Sequence, residues 1–550
     1  MMDGQLNEIV AELNKVGLVA EISDSNIQIK AVIEEVPVEL LCKLGEYFPY
    51  EFPTIYISPD SKKEIDTIPH INTDNSICVF DQGLSAPNFL APVKMVCETV
   101  QKAIEVLGKG IRKENLRDFL DEFNAYWGTK SVIEANSFIF DCTNGKIIKF
   151  CFQEGKDAPL LISDSVEGLK QVYTSIHHKE LCEGNIIDGI LIPIDKDLDC
   201  SIPKTDIDIV KMIQMKSSYY NLYHKFIQSH LGKPVLLMFA QVTSTGIILS
   251  GWLHFVPELK DGFRPGHMNL QVAFSNNSKS GCAIFIEDCS QKRLFNRGGD
   301  GKDISWNKVA IIGCGSIGSM VAETLSFSGT SSFLLNDNQL LHYENIARHT
   351  CGYMYEGLFK TNAIEWILTK HNPNIQCYSY NKNAHAFLVD NAEEINDCDI
   401  VFVAVASFAV EYHICKLVND GIITTPVVII WVEPYALSGH AMLIKKRQDL
   451  FEELFDSQTH AFQYSIVENA VDLLKREAGC QSTYMPYSGF YLQMFISGII
   501  EKIMIETIKK KGNHLLSWCG RLSEADSYGV KLTELAHDYS DFSIIERRID

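Results

Sequence analysis

In the first 128 residues the apolar positions follow a helical spacing, then an alternating one, then a helical spacing again. Apolar residues three and four apart between positions 6 and 16 predict an opening amphipathic helix. Between positions 26 and 58, short β-prone runs separated by turn-forming residues predict an antiparallel meander. The polar, proline-broken stretch 59–88 predicts a long loop, and helical spacing returns over 93–127. This order predicts an α+β domain over residues 1–128.

Beyond this domain the pattern changes twice. Residues 129–290 mix strand-like runs, such as 137–142, with a helical stretch at 209–231, and they carry no strong motif. They predict a mixed α/β linker domain of unassigned role. Residues 291–550 alternate buried strands with helices, which predicts a Rossmann-like domain with a mainly parallel sheet covered by helices on both faces.

The overall composition excludes several classes of partner. Lys and Arg total 49 and Asp and Glu total 70, so the formal net charge is −21, which argues against binding to nucleic acid or anionic membranes. The 16 cysteines include no Cys-x-x-Cys pair, so we predict no structural zinc site. Neither a secretory signal nor an apolar run long enough to cross a bilayer is present in the sequence. We expect a cytoplasmic protein with reduced thiols.

The strand at 308–312 ends in a glycine turn, "GCGSIG". Gly313, Gly315 and Gly318 let the backbone turn sharply and approach a phosphate at the N-terminus of the next helix. Asp337 lies 19 residues after Gly318, where an acidic side chain at a strand end reaches a ribose hydroxyl. This much predicts a nucleotide site that fits NAD, and an NAD enzyme is the default interpretation of these residues alone.

Three polar residues further along the chain favour ATP. Asn345 and Arg348 lie in "ENIARH", and Lys360 follows twelve residues after Arg348. A triphosphate undergoing displacement needs cations along its phosphate chain, whereas a dinucleotide does not need such a cluster.

The stretch 308–434 resembles the adenylating enzymes of the ThiF, MoeB and ubiquitin-activating family, and "NIARH" is similar to that family's N-L-x-R-Q/H signature. The resemblance implies that the glycine turn cradles the phosphates of ATP, that Asp337 holds the ribose, and that Asn345, Arg348 and Lys360 contact the phosphates. It implies Mg²⁺ as a second cofactor and a homodimer. The implied reaction activates the carboxyl terminus of a small protein as an acyl adenylate.

A second resemblance lies in the predicted loop of the first domain. "YFPYEFPTIYI" followed by "PHINTDNSICVF" is similar to ubiquitin-conjugating enzymes, in which a histidine precedes a catalytic cysteine. This resemblance implies that Cys78 carries a thioester and that His70 belongs to the same site. The family's His-Pro-Asn is replaced by His70, Ile71 and Asn72, which leaves Asn72 as a candidate for stabilising the oxyanion.

The order of the two domains resembles the fused activating and conjugating enzymes of bacterial CBASS antiphage operons. That family implies that the activated protein is the operon's cGAS-like nucleotidyltransferase, joined through its C-terminus to lysines of target proteins. Conjugation in that family primes antiviral signalling.

A thioester relay also needs a cysteine in the activating domain, because a thiolate is the best nucleophile there at neutral pH. Cys480, in "REAGCQSTYMPYSG", is our choice because polar, proline-containing sequence surrounds it, and related fusions place their cysteine in such a segment. Cys519 is the next candidate. The remaining candidates are Cys314, Cys351, Cys377, Cys398 and Cys415.

One departure from the adenylating family keeps alternatives open. Ala406 and Ser407 stand where the family has a magnesium-binding Asp, and Glu433 is a possible substitute. An NAD(P)-dependent oxidoreductase would use the same glycine turn. A nucleotide-binding scaffold with degenerate sites would account for Ala406, and activation of a sulfur carrier would leave the first domain without a role.

Overall fold

The computed structural model describes residues 2–549 except 25, 66–67, 81–82, 156, 197–201, 244–245, 259–267, 276, 278, 300, 302–305, 446–449, 457 and 477–482. The chain forms two compact units. The first unit contains residues 1–169 and 182–289, and the second contains residues 170–181 and 290–550. None of the helices in the described part of the chain combines the length and apolar character that a bilayer crossing requires.

The first unit opens with a four-stranded antiparallel meander in the order β1-β2-β3-β4. Side chains alternate along β2, so that Ile27 and Ile29 are buried while their neighbours are exposed. The buried side chains pack against two amphipathic helices, α1 and α3, in one core. The elements are α1 (Met2–Lys15), β1 (Val19–Ser23), β2 (Asn26–Ile33), β3 (Val36–Lys43), β4 (Thr54–Ile57), α2 (Pro59–Glu64) and α3 (Pro92–Ile111).

The rest of the first unit is a seven-stranded sheet that closes on itself in the order β10-β11-β5-β7-β6-β8-β9. Alternate residues of its strands enter two separate cores, as Leu236 and Leu237 do in β9. The strands are β5 (Ile133–Ser137), β6 (Lys146–Cys151), β7 (Leu160–Ser163), β8 (Ile187–Ile194), β9 (Pro234–Thr243), β10 (Gly246–Phe255) and β11 (Cys282–Asp288). The helices are α4 (Leu116–Asp121), α5 (Phe123–Gly128), α7 (Asp206–Lys216), α8 (Tyr220–Ser229) and α9 (Leu270–Ser275). Helix α6 (Val166–His177) begins in the first unit, and its residues from Lys170 onward belong to the second.

The second unit is built on an eight-stranded sheet in the order β14-β13-β12-β15-β16-β17-β20-β21. The first five of these strands are parallel and the last three pair antiparallel. The strands are β12 (Lys308–Ile312), β13 (Ser332–Asn336), β14 (Gln376–Tyr380), β15 (Ile400–Val403), β16 (Val427–Val432), β17 (Ser438–Ile444), β18 (Lys475–Arg476), β19 (Thr483–Tyr484), β20 (His514–Cys519) and β21 (Ile544–Arg548). Strands β18 and β19 form a separate hairpin.

Helices of the second unit cover both faces of this sheet. Each face packs with its helices in a separate hydrophobic core. Side chains of α11, α12 and α17 enter one core, and those of α13, α15 and α16 enter the other. The helices are α10 (Gln291–Gly298), α11 (Ser316–Phe327), α12 (Lys360–His371), α13 (Ala384–Asp390), α14 (Ala392–Asn396), α15 (Phe408–Asn419), α16 (Leu450–Leu454) and α17 (Gly489–Ile505). This is the predicted α/β arrangement, with an antiparallel extension at one edge.

Three local expectations differ from the structure. The loop predicted at 59–88 begins with the short helix α2, whose N-terminus is capped by the Ser58 hydroxyl and carries Pro59 in its first turn. The helix predicted at 209–231 breaks into α7 and α8, because Ser217 takes an extended conformation. The strand predicted at 137–142 overlaps β5 only at its first residue, Ser137.

Candidate active sites

The glycine turn joins β12 to α11 and leaves open space at the helix N-terminus. Gly313 has a φ of +90°, and a side chain on Gly318 would place its Cβ 1.9 Å from the Gly313 carbonyl oxygen. Both positions therefore require glycine. Gly315 is different, because a Cβ there would meet no atom within 4 Å. The space beside Gly315, at the start of α11, can therefore admit an anion.

Asp337 follows β13, the strand that pairs with β12 in parallel. One of its carboxylate oxygens accepts the Cys314 backbone N–H at 2.8 Å, and the other accepts the Gln339 N–H at 2.8 Å. These bonds fix the carboxylate beside the glycine turn, at the edge where ligands bind in parallel α/β sheets.

Lys360 and Asn345 are held by neighbouring groups. Lys360 begins α12 and is only 7% exposed, and its Nζ donates to Gln339 Oε1 at 2.7 Å. Asn345 is half-buried, and its Oδ1 accepts the His342 N–H at 3.0 Å. Gln339 thus joins Lys360 to Asp337, since its backbone contacts the Asp337 carboxylate. Sequence reasoning missed this linking role of Gln339, because no local pattern marks it.

Arg348 lies against a short segment that precedes α17. We call residues 483–488 the strap. The guanidinium carbon of Arg348 is 4.4 Å from the centre of the Tyr487 ring, and its Nη1 donates to the Met485 carbonyl at 3.0 Å. The Tyr487 hydroxyl is in turn 2.7 Å from the Ser316 Oγ, at the start of α11. The strap therefore contacts both the arginine and the glycine turn.

The described residues near this site do not group several carboxylates into a magnesium site. Both oxygens of Asp337 accept backbone N–H groups, and Ala406 supplies no ligand. The carboxylate of Glu433, the substitute considered from the sequence, accepts N–H groups of Ile466 and Val467 and the hydroxyl of Ser465. In the described part of the chain no three His, Cys, Asp or Glu side chains are grouped to hold a metal.

The thiols described in the second unit are all inaccessible or half-buried. Burial raises the pKa of each of them above its usual value, which disfavours the reactive thiolate. They are Cys314, Cys351, Cys377, Cys398, Cys415 and Cys519. Cys480 lies outside the described residues, and in the sequence it stands between β18 and β19.

Cys78 is exposed on the first unit, directly after a turn that contains His70. The Cys78 backbone N–H donates to the His70 carbonyl at 2.8 Å, and Ile71 pairs with Ile77 across the turn. His70 has a φ of +67°, so its backbone occupies the strained left-handed region. The turn holds the cysteine and the histidine side by side.

The His70 side chain is clamped by two carboxylates. Its Nδ1 is 2.7 Å from Glu122 Oε1 and its Nε2 is 3.1 Å from Asp118 Oδ2. The hydrogen bond to Glu122 is the largest cause that raises the pKa of His70 above its usual value. The two carboxylates therefore stabilise the imidazolium form of His70 relative to the neutral ring.

The clamp comes from Asp118 in α4 and from Glu122, which joins α4 to α5, and the apolar face of these helices is anchored in the core of the seven-stranded sheet. Phe119, Phe123 and Trp127 recur every four residues and are fully buried there. Glu122 lies between them, and its Oε2 accepts the His70 backbone N–H at 3.0 Å and the Tyr126 hydroxyl at 2.6 Å.

Sequence reasoning predicted a helix at α4 and α5 but missed the clamp residues. Burial raises the pKa of Tyr126 most, the bond to Glu122 raises it further, and the charge of Cys78 adds to the rise. The available signal was the four-residue spacing of Asp118 and Glu122, which places both carboxylates on one face of a helix.

Asn72, the candidate for the oxyanion, is held within the turn. Its side-chain amide donates to Ser76 Oγ at 2.9 Å, and its backbone N–H donates to the Ser76 carbonyl at 2.8 Å. In this conformation the amide supports the turn that precedes Cys78, with one of its two N–H donors directed to Ser76.

Comparisons with known proteins find matches to the two stretches of the chain that contain these sites. Residues 291–514 match the ThiF family, and residues 18–135 match the prokaryotic E2 family B. The chain is a fusion of an E2-like and an E1-like domain. The E2-like domain contains Cys78 and His70, and the E1-like domain contains the glycine turn. The predicted fold class, with these domains at opposite ends of the chain, is confirmed.

Individual relatives cover parts of this fusion. Ubiquitin-like modifier-activating enzyme 5 of Branchiostoma floridae is 27% identical over 218 residues, 35% of this chain and 49% of that protein. The ATP-dependent ubiquitin transferase-like protein Cap2 of Enterobacter hormaechei subsp. hoffmannii is 36% identical over 124 residues, 22% of this chain and 21% of that protein. The chain thus spans half or less of the length of these curated relatives. A structure of E. coli MccB with ATP matches 44% of this chain and 63% of that chain, at 17% identity and a TM-score of 0.29.

Proposed function

We propose that this protein uses ATP to activate the C-terminal carboxylate of a protein and passes the acyl group through two thioesters to a target lysine. One observation carries the proposal. The same chain has an exposed cysteine, Cys78, in an E2-like domain and a nucleotide frame in an E1-like domain. By nucleotide frame we mean the glycine turn, Asp337, Arg348 and Lys360. An activating domain alone would leave Cys78 unexplained. A conjugating domain alone would leave the glycine turn unexplained.

The E1-like domain supports the first step with an open anion site and two cations. The space at Gly315 admits phosphates, and Arg348 and Lys360 supply positive charge. Bound ATP supplies an electrophilic α-phosphorus, which the carboxylate attacks as pyrophosphate leaves. Asp337 is oriented by two backbone N–H groups and holds the ribose. Magnesium stays a prediction from the resemblance, because the described residues do not group three side chains that could hold it.

Each of the next three steps exchanges one acyl bond for another. The Cys480 thiolate attacks the acyl adenylate, a thioester forms, and AMP leaves. The Cys78 thiolate then attacks that thioester, and the Cys480 thiolate is released. Finally a lysine amine of the target attacks the Cys78 thioester and loses a proton, so that an amide forms and the thiolate leaves. Burial of the described thiols of the E1-like domain supports Cys480 as the first acceptor.

We further propose the partners and the domain division that the resemblance implies. The activated protein is a cGAS-like nucleotidyltransferase of a CBASS operon, and the 36% identity to a Cap2 protein over 124 residues supports this choice. The enzyme acts as a homodimer in the cytoplasm. The E2-like domain occupies residues 1–128, a linker domain 129–290 and the adenylating domain 291–550.

Mass spectrometry under non-reducing conditions tests the proposal. After addition of ATP and the nucleotidyltransferase, we expect thioester adducts on both Cys480 and Cys78. Cys480→Ala should remove both adducts, whereas Cys78→Ala should retain the adduct on Cys480. Cys182→Ala is the matched control, because Cys182 is exposed but lies outside both sites. Unchanged adducts in the Cys78→Ala variant would refute the role of the E2-like domain.

A scaffold that binds ATP without chemistry is the second candidate. It is favoured by Ala406, which leaves the strand end without a carboxylate, and by the Asn72 amide, which donates within its own turn. A scaffold would bind ATP and give neither pyrophosphate–ATP exchange nor an adduct that dithiothreitol removes. An NAD(P)-dependent enzyme would instead bind NAD(P) tightly and show no exchange.

A further inference from the structure

The strap is tied to the nucleotide frame at three separate places. The Tyr487 hydroxyl contacts Ser316 in the glycine turn, and the Tyr487 ring covers the Arg348 guanidinium. The Met485 carbonyl accepts from Arg348, and the Pro486 carbonyl accepts the Tyr435 N–H at 2.6 Å. Three consecutive strap residues thus each hold a different element of the same edge.

Close packing and backbone strain accompany these contacts. A side chain on Gly489, directly after the strap, would place its Cβ 3.0 Å from the Ala347 carbonyl oxygen, next to Arg348. Tyr435 and Ala436 have φ values of +59° and +52°, which are strained for residues other than glycine. Such strain persists only where the surroundings enforce it, and it concentrates at functional sites.

We propose that Tyr487 is a positioning residue that orients Arg348 toward the phosphate chain of ATP. This inference rests on the proposed function and adds a residue to its first step. A guanidinium carries five N–H donors, and Met485 takes up one of them through Nη1. The ring of Tyr487 fixes the plane of the guanidinium by a cation–π contact, and its hydroxyl fixes the ring to the turn that receives the phosphates.

An arginine on an unrestrained side chain loses rotamer entropy each time it binds an anion. Tyr487 removes much of that cost in advance, because it holds the guanidinium in one plane beside Ser316. The strap also begins with β19, and Cys480 precedes it by three residues in the sequence. The segment that bears the proposed thiol is therefore covalently continuous with the segment that orients the arginine.

The test measures the Kd of ATP for the full chain by titration calorimetry. Arg348→Ala should weaken binding about 30-fold, and Tyr487→Leu should weaken it about tenfold. Since Tyr487 acts through Arg348, the double variant should bind no more than twofold weaker than Arg348→Ala alone. Tyr487→Phe keeps the ring and should stay within about threefold of the wild type. Tyr484→Leu changes another tyrosine of the strap and is the matched control.

Losses that multiply in the double variant would overturn the positioning role, as would a Tyr487→Leu Kd within twofold of the wild type. If Tyr487→Leu fails to fold, Tyr487→Met keeps most of the volume, lacks the π face and takes the same comparison. ATP binding needs no acceptor protein. Coupled losses without any thioester would therefore overturn the proposed function alone, and multiplying losses with normal thioesters would overturn the positioning role alone.

Discussion

The two candidate sites are held in place by different means. The nucleotide frame is built from main-chain geometry: a parallel strand pair, glycines that no other residue can replace, and a carboxylate fixed by backbone N–H groups. The thiol loop, residues 70–78, is irregular and is held by side chains of α4 and α5. The first site therefore depends on steric fit, whereas the second depends on charge.

The largest effect should come from breaking the steric fit of the nucleotide frame. Gly318→Ala forces a Cβ to within 1.9 Å of the Gly313 carbonyl oxygen, so we expect ATP binding to fall more than about 100-fold and Tm to drop. Gly315→Ala is the matched variant, because its Cβ meets no protein atom within 4 Å.

For Gly315→Ala we expect an unchanged Tm and weaker ATP binding, since the methyl group enters the space assigned to phosphates. Calorimetry and thermal unfolding measure the two quantities separately. A Gly318→Ala protein with normal Tm and normal affinity would show that the frame is not set by this contact.

An intermediate effect should come from removing a carboxylate that contacts His70 in the thiol loop. The raised pKa of His70 means that the folded state binds its proton more tightly than the unfolded state. The resulting stabilisation is complete below the usual histidine pKa of about 6.5 and is lost as pH rises through the folded pKa. Glu122→Gln removes the main partner and should lower the Tm of the E2-like domain by about 2–4 °C at pH 6, with a smaller difference at high pH.

The same variant should lower the His70 pKa measured by NMR, and Asp118→Asn should lower it less, because the bond to Glu122 is the largest cause of the shift. An unchanged His70 pKa in both variants would contradict electrostatic control of this loop.

Much of the fold follows from the sequence, because regular periodicity survives in the structure. The β2 run predicted within 26–58 lies at Asn26–Ile33, and the alternating strands and helices after residue 291 form one sheet covered on both faces. Periodicity reports which face of an element is buried, and that information is local.

Contacts between residues distant in sequence could not be predicted in this way. Glu122 contacts His70 across 52 residues, and Tyr487 contacts Ser316 across 171. Both depend on where elements meet in space, and no local pattern encodes that meeting. The break at Ser217 was missed because the helical spacing continues through it.

The smallest effect concerns Ala406, which has a strained backbone and stands where the adenylating family has a magnesium-binding Asp. Ala406 has a φ of +49°, a conformation that costs a residue with a Cβ about 1–2 kcal/mol. Ala406→Gly relieves that strain but also gives the unfolded chain more freedom, so we expect a net gain of at most about 1 kcal/mol in the free energy of unfolding.

Ala409→Gly, in the exposed first turn of α15, should lower the stability by about 0.5–1 kcal/mol instead. Urea denaturation of the two variants gives the comparison. Equal losses in both would mean that the Ala406 backbone carries no strain.

The uneven exposure of the thiols allows the arrival of the acyl group at Cys78 to be timed by chemical labelling. Of the described cysteines only Cys78 and Cys182 are exposed, so a brief pulse of an alkylating reagent marks these two before the buried ones. A sulfur engaged in a thioester cannot be alkylated, whereas Cys182 continues to react and calibrates the dose. The ratio of the two labels after ATP addition would then record, second by second, how much acyl group has arrived at the E2-like domain.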